Sequence, residues 1–313
     1  NLARQYRPEQ ILKFWFTIYR IHVFALLAEV VLKTLSGATQ RPHLWFYEPS
    51  YLAIFMTGYF GGALYMFLRD SRAGRLDFAL ALLGMLATTS ATGIFGMIFA
   101  VLINFVVARQ RIKLLLGSAL IAGLFLGTLY LFFYDTIYYR LVAGFFLQPD
   151  ISLNVVLERA GNRWIRVLAG WSAFQHHPWL GIGIGGDAAY MQTEGLPENA
   201  RHLVNEWSGV ERGQPFSNIV VEVLGTMGVA GLIPFAAILV YAAWVMIRLL
   251  RSSRESAVAG VALFVGFFSI FLALQFESTF LRYYLWSPLG LALGSASWVL
   301  GATSSKRPAP AGP

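Results

Sequence analysis

The chain has 313 residues, of which 57% are hydrophobic and 13% are charged, whereas a soluble domain carries roughly 25% charged residues. This composition excludes a soluble globular protein and predicts an all-α, polytopic helical membrane protein. No cysteine is present, which excludes disulfides, thiolate metal ligands and thiol redox chemistry. The sequence begins at Asn1 rather than at a methionine, and we expect it to be a fragment of a longer protein.

Apolar runs taken in chain order predict about eight transmembrane helices, because each run approaches the ~20 residues that cross a bilayer. The run from 76 to 108 is too long for one span, and the sequence TTSATG at 88–93 predicts a tight turn that divides it into two. The other six predicted spans lie near residues 11–34, 50–68, 114–133, 218–247, 256–275 and 286–301.

Positive charges at the ends of these spans set the predicted orientation. Fourteen of the 24 lysines and arginines fall on one side and mark a cytoplasmic face by the positive-inside rule. The net charge of +8 therefore reflects topology and does not indicate nucleic-acid binding. The predicted organisation is transmembrane helices in 1–133, one long extracytoplasmic loop in 134–216, further transmembrane helices in 217–303 and a cytoplasmic tail in 304–313.

Three arginines in the long loop have a spacing that suits anion binding. A helix turns 100° per residue, so it would place Arg159, Arg163 and Arg166 within about 60° of one another. If Gly161 and Asn162 break the first turn, only Arg163 and Arg166 stay neighbours. A planar guanidinium binds phosphate through two N–H groups and keeps its charge at physiological pH. The alternative is a helix that lies on the bilayer surface with solvated arginines.

The glycine-rich sequence GIGIGG at 181–186 resembles a phosphate-binding loop only superficially. It lacks the lysine and the serine or threonine of the nucleotide P-loop, and the flanking strand and helix of a dinucleotide fingerprint. We predict instead that these glycines let the chain turn tightly or approach other backbone after the preceding helix, which Pro178 helps to end.

Several of these motifs occur together in one known family. Arg163 precedes Pro178 of PWLGIG by fifteen residues, and Asn218 is followed ten and thirteen residues later by Gly228 and Gly231. With these motifs the chain resembles the O-antigen ligase and polymerase superfamily over most of its length. FYEPSYLA at 46–53 is similar to a stretch of the exopolysaccharide polymerase branch.

The chain departs from the family pattern at three positions. Ser217 stands where ligases have a histidine before the asparagine, Thr226 replaces a later acidic residue, and Ala91 replaces the arginine of a Ser-Arg pair. A ligase mechanism depends on that histidine, so its absence favours the polymerase branch.

The resemblance implies a GT-C-like bundle that transfers glycans from a polyprenyl diphosphate to an acceptor hydroxyl, with inversion and without a metal. Negative charge develops on the diphosphate leaving group, and either a divalent metal or fixed cations must stabilise it. No D-x-D pair occurs in the chain, so no such metal site is expected. No cofactor is expected either. The predicted diphosphate-binding residues are Arg163, Arg166, Arg159, Arg140, Arg41 and Arg20.

An acceptor hydroxyl also benefits from a positioned base, usually a histidine or a carboxylate. Glu48 precedes Pro49 where a predicted span meets the outer face; its alternative role is that of a solvated residue near a helix start. His176 is the second candidate, although it could instead cap or pack the end of the loop helix. Glu48, Arg163 and His176 form the predicted catalytic set.

Arg20, His22 and Glu29 lie inside the first predicted span. Ionisable groups are costly in lipid, so these side chains are expected to face protein or water. Arg20 could reach a carboxylate or a lipid phosphate.

Together with these features, the family resemblance implies a glycosyltransferase of the bacterial cytoplasmic membrane that polymerises polyprenyl-diphosphate-linked repeat units, with its active site facing the periplasm or the exterior. An O-antigen ligase or related oligosaccharyltransferase is the first alternative. A lipid-linked-glycan transporter is the second, although internal repeats and short loops on both faces, which transporters usually show, are not seen. The expected partners are the lipid-linked oligosaccharide and the bilayer, with flippase and chain-length regulator proteins as further candidates.

Overall fold

The computed structural model describes residues 6–38, 42–46, 49–69, 72–88, 90–107, 161–193, 215–277 and 282–301. Throughout these ranges the chain forms helices, turns and irregular segments without a strand, which confirms the all-α prediction. The helices in chain order are α1 (Pro8–Leu35), α2 (Pro49–Leu68), α3 (Arg72–Ala87), α4 (Ala91–Val107), α5 (Gly161–His176), α6 (Asp187–Thr193), α7 (Ile219–Leu250), α8 (Glu255–Ala273) and α9 (Tyr283–Gly301).

Four of these helices, α1, α2, α7 and α8, are long and apolar enough to cross a membrane, and α4 is a shorter apolar helix. They confirm a polytopic helical membrane protein. Helices occupy seven of the eight predicted positions. The break between α3 and α4 lies between Ala87 and Ala91, within the turn predicted at 88–93, whose last three residues are helical. The predicted span at 114–133 lies outside the described residues. The orientation in the membrane and the four predicted segments of the chain stay predictions.

The chain divides into two units. Unit 1 comprises Asn1–Arg111, Ala236–Leu274 and Leu281–Pro313, and unit 2 comprises Ile112–Phe235 and Gln275–Phe280. Unit 1 holds most of the apolar helices. Unit 2 holds α5, α6 and the first part of α7.

Helix α2 forms the centre of unit 1. It packs against α3, α4 and α8, and α8 packs in addition against α1 and α9. The glycines of α2 make this packing possible. A β-carbon at Gly58 would lie 2.5 Å from Ile270 Cδ1, and one at Gly62 would lie 3.0 Å from the carbonyl oxygen of Ala262, both on α8. Small residues that let helix backbones approach closely are a common basis of helix packing in membranes.

The two faces of α1 differ in the way expected of a helix between protein and lipid. Trp15, Tyr19 and Val23, spaced four residues apart, are buried against the rest of unit 1. Phe14 and Ile21, on another face, are 63% and 59% exposed. Large apolar side chains exposed along one face of a helix are unfavourable in water and favourable in a bilayer.

A charged pair inside the bundle fixes α1 to α3. Arg20 donates from Nε to Asp77 Oδ1 at 2.7 Å and from a terminal nitrogen to Oδ2 at 2.8 Å. The Tyr59 hydroxyl of α2 donates to the same carboxylate at 2.5 Å. The Asp77 side chain is 2% exposed, so its charge depends on these donors. This geometry confirms that Arg20 faces protein and reaches a carboxylate.

Glu29 and His22, the other two residues expected to face protein or water, also have protein partners. The Glu29 carboxylate accepts hydrogen bonds from the backbone N–H groups of Leu44 at 2.7 Å and His43 at 3.1 Å. His22 Nδ1 lies 2.7 Å from the carbonyl oxygen of Ile18, one helical turn earlier. The prediction that these side chains face protein or water is therefore confirmed.

Candidate functional site

Helix α5 is the element of unit 2 that carries the predicted arginines. Its residues Ile165, Ala169 and Ala173 recur every four positions and are fully buried, together with Phe216 and Tyr190, in the apolar core of this unit. That buried stripe fixes the rotation of the helix about its axis. The arginines at 163 and 166 are consequently held at defined positions beside this core.

Arg163 and Arg166 meet at one carboxylate, that of Glu277. Arg163 donates from Nε to Glu277 Oε1 at 2.7 Å and also contacts this oxygen through a terminal nitrogen. Arg166 approaches the other oxygen, with a terminal nitrogen 3.9 Å from Oε2. Two guanidinium groups therefore contact the same carboxylate, Arg163 at one oxygen and Arg166 at the other.

The two arginines differ in how much of each side chain reaches solvent. Arg163 is 33% exposed, whereas Arg166 is 3% exposed and Glu277 is 2% exposed. Arg166 also donates to the backbone carbonyl of Pro215 at 3.1 Å. Within this cluster Arg163 is thus the group that a ligand can reach, and Arg166 is a buried companion that contributes charge.

The start of α7 lies at the same cluster and is shaped by Asn218. This residue has a positive φ of 73°, a conformation that asparagine tolerates better than most residues. Its Oδ1 accepts hydrogen bonds from the backbone N–H groups of Val220 and Val221 at 3.0 and 3.1 Å and so caps the helix. Its amide donates to the carbonyl of Gln275 at 3.3 Å, which holds the segment leading to Glu277.

The glycine-rich segment after α5 docks on a break in α7. Gly228, inside α7, has φ 61° and ψ −160°, a conformation essentially restricted to glycine. Around this break the backbones pair directly: Ile182 donates to Gly225, Gly183 to Thr226, Val229 to Pro178 and Ala230 to Trp179, at 2.8–3.1 Å.

Steric requirements explain the glycines at two of these positions. A β-carbon at Gly181 would overlap the backbone of Thr226, and one at Gly228 would overlap the backbone of Trp179. The prediction that the glycines turn the chain and approach other backbone is confirmed. They bring the end of α5 and α7 together and form no phosphate loop of the nucleotide-binding kind.

His176 lies at the opposite end of α5 from Arg163. The two residues are thirteen positions apart in this helix, which corresponds to about 20 Å along the helix axis. His176 Nδ1 is 3.0 Å from the Tyr190 hydroxyl, which also lies 3.4 Å from Ser172 Oγ. The structure does not bring His176 to the arginine cluster, and its role as a base stays a prediction.

The remaining predicted site residues are distributed as follows. Arg20 belongs to unit 1 and is engaged by Asp77, so its contact with a diphosphate stays a prediction. The residues Arg41, Glu48, Arg140 and Arg159 lie outside the described part of the chain, and their predicted roles are untested.

Glu277 is the site residue that sequence reasoning missed. It follows the apolar run at 256–275, in the short connection before the last predicted span, and its sequence QFES has no recognisable motif. One signal was present: two neighbouring arginines in a chain with few charges require a nearby carboxylate when they are buried.

Ser217, which replaces the ligase histidine, is fully buried, and its hydroxyl has no hydrogen-bond partner among the described residues.

Comparison with known families agrees with this architecture. The family model described as O-Antigen ligase matches residues 76–236, which is more than half of the 313-residue chain. The matched range includes α5 with both arginines, the glycine-rich segment and the first part of α7. A search of curated proteins gives no match. The chain therefore belongs to the O-antigen ligase family, a family of ligase- and polymerase-type membrane enzymes.

Proposed function

We propose that this protein is a membrane glycosyltransferase that polymerises polyprenyl-diphosphate-linked oligosaccharide repeat units on the extracytoplasmic face of a bacterial cytoplasmic membrane. The observation that carries the proposal is Arg163, whose guanidinium is held by the buried Glu277 while one third of the side chain stays exposed. An arginine that is both oriented and accessible suits the recognition of a diphosphate.

The proposed reaction is a displacement at the anomeric carbon. The bond from this carbon to the diphosphate oxygen breaks, and its electron pair stays on the leaving diphosphate. The acceptor hydroxyl oxygen forms the new glycosidic bond with inversion, and its proton passes to a base. Arg163 binds the leaving diphosphate as negative charge develops there, and Arg166, buried at the other oxygen of Glu277, adds positive potential.

The base in this proposal is Glu48 or His176, the two candidates taken from the sequence. We give preference to Glu48 because His176 lies about one helix length from Arg163 along α5. A base must come within hydrogen-bond reach of the hydroxyl that it deprotonates.

Two features of the sequence favour a polymerase over a ligase. FYEPSYLA at 46–53 is similar to the exopolysaccharide polymerase branch, and Ser217 replaces the histidine on which the ligase mechanism depends. Flippase and chain-length regulator proteins are the partners that a polymerase of this kind would work with.

Removal of the protein from its native cells is expected to cause lipid-linked single repeat units to accumulate, because chain extension is the step that is lost. Lipid extracts separated by size and analysed by mass spectrometry would show this directly. Accumulation of finished chains that remain on the carrier would instead identify a ligase, and unchanged lipid-linked pools would exclude both.

Activity is expected to persist in a chelator, because arginines rather than a divalent metal carry the charge of the leaving group. The measurement is release of polyprenyl diphosphate by the full chain in bilayer nanodiscs, with and without excess EDTA. Turnover within about twofold of the untreated protein is expected, since the proposed reaction assigns the stabilisation of the leaving group to arginines. Complete loss of turnover that returns on adding Mg²⁺ or Mn²⁺ would contradict the proposal.

A further inference from the structure

We infer that Glu277 is a positioning residue that fixes the Arg163 guanidinium in the orientation needed to bind the diphosphate. This inference rests on the proposed function, and it assigns to that site a residue that sequence motifs do not mark. Three features of the site support it: the Glu277 carboxylate is shared between the two arginines, it is buried, and part of Arg163 stays exposed.

Each oxygen of Glu277 serves a different arginine. Oε1 accepts from Nε and contacts a terminal nitrogen of Arg163, whereas Oε2 faces Arg166. The contacts on Oε1 use one edge of the planar Arg163 guanidinium. A guanidinium carries five N–H donors in a rigid fork, so anchoring this edge determines where the remaining donors point. The exposed part of Arg163 is therefore presented in a fixed direction.

Burial makes this arrangement rigid. The Glu277 side chain is 2% exposed, and a buried carboxylate keeps its charge only while it is paired and hydrogen-bonded. Glu277 itself is held in place through its own segment, because Asn218 at the start of α7 donates to the carbonyl of Gln275. The segment that carries Glu277 therefore contacts α5 through the carboxylate and the start of α7 through the carbonyl of Gln275.

The exposure of Arg163 also favours positioning over neutralisation. With the ion pair intact, 33% of the Arg163 side chain stays exposed, so the guanidinium can bind a diphosphate without giving up Glu277. If Glu277 merely occupied the place of a phosphate group, the substrate would have to displace a buried, paired carboxylate. That alternative predicts faster turnover when the carboxylate is removed, and positioning predicts slower turnover.

The test uses the full chain in nanodiscs and the lipid-linked material that accumulates in cells lacking the protein. Three variants are compared: Glu277→Gln, which removes the charge and keeps the shape; Glu277→Asp, which keeps the charge and withdraws it by one methylene; and Glu255→Gln as the control. Glu255 lies exposed at the start of α8 in unit 1, so the control removes the same charge elsewhere. The readouts are kcat and KM per folded protein.

Positioning predicts that kcat falls on the order of 100-fold in Glu277→Gln and roughly tenfold in Glu277→Asp, with little change in KM. These magnitudes correspond to the loss of rate expected when a group that binds the reacting substrate is displaced by about 1 Å. An effect on kcat alone indicates an interaction that is made in the transition state. The control is expected to keep the wild-type kcat.

Glu277→Asp decides the outcome if Glu277→Gln fails to fold, because the aspartate variant retains the ion pair. A wild-type kcat in folded Glu277→Asp, or a raised kcat in Glu277→Gln, would overturn the inference. Turnover of the Arg163→Ala variant distinguishes a failure of this inference from a failure of the proposed function. If that variant loses turnover while both Glu277 variants keep it, only the positioning role is wrong; if Arg163→Ala itself keeps wild-type turnover, the proposed site is wrong.

Discussion

Asp77→Asn is expected to lower the stability of the protein by about 3 kcal/mol, because it leaves the Arg20 charge inside the bundle without its carboxylate. Asp77 is 2% exposed and accepts three hydrogen bonds, two from Arg20 and one from Tyr59. This loss of stability lies at the lower end of the range expected when one partner of a buried ion pair is removed, because 28% of the Arg20 side chain stays exposed. Thermal unfolding in detergent, followed by the fraction of folded protein on size exclusion, measures the loss.

Two further variants make this experiment specific. Tyr59→Phe removes one neutral donor and is expected to cost about 1 kcal/mol. The double variant Arg20→Met with Asp77→Leu replaces the pair by apolar side chains and is expected to recover most of the folded protein. If Asp77→Asn melts like the wild type, the ion pair does not stabilise the bundle as described.

The same double variant tests the predicted contact between Arg20 and the diphosphate. If the double variant is folded and fully active, Arg20 is a structural residue and the prediction from the sequence is wrong. If it is folded and inactive, Arg20 takes part in the reaction as well as in the ion pair.

Helix positions and the spacing of Arg163 and Arg166 could be predicted because both depend on local sequence. Apolar runs identify the helices, and three residues of separation place two side chains on neighbouring positions of one helix face. The glycines at 181–186 could also be interpreted locally, since glycine is the residue that permits positive φ and close backbone contact. The segment on which these glycines dock could not be predicted, because the apolar run at 218–247 continues through the break at Gly228 without interruption.

Long-range pairing is what the sequence did not reveal. Glu277 is separated from Arg163 by 114 positions, and Asp77 from Arg20 by 57. A carboxylate for Arg20 could be expected in general terms, because an arginine inside a span requires a partner. The packing of α1 against α3 determines that this carboxylate is Asp77. The contact of the segment 275–277 with α5 determines that Glu277 holds Arg163.

Arg163→Ala is expected to lower turnover on the order of 100-fold or more, by analogy with the loss of one oxyanion-stabilising donor. Arg163→Lys is expected to fail nearly as badly. Lysine keeps the charge, but it lacks the planar fork that contacts Glu277 on one edge and that would bind the diphosphate with the rest in the proposed mechanism. The ion pair makes the lysine variant the more informative of the two, because it leaves the buried Glu277 with a cationic partner and therefore preserves folding better than alanine.

The alternative, in which the helix lies on the bilayer surface, predicts a different turnover for the lysine variant. Lysine anchors a helix at an interface about as well as arginine, so Arg163→Lys would stay active in that case. Arg251→Lys provides the matched control, since Arg251 is exposed just after α7 in unit 1 and has no place in the proposed site. It is expected to keep wild-type turnover.

The most direct measurement is the single-turnover rate at which Arg163→Lys releases polyprenyl diphosphate from lipid-linked repeat units, per folded protein and relative to wild type and Arg251→Lys. If Arg163 binds the leaving diphosphate through its guanidinium, this rate falls on the order of 100-fold while the amount of folded protein stays close to that of the control. A wild-type rate in Arg163→Lys would remove Arg163 from the site and contradict the proposed mechanism.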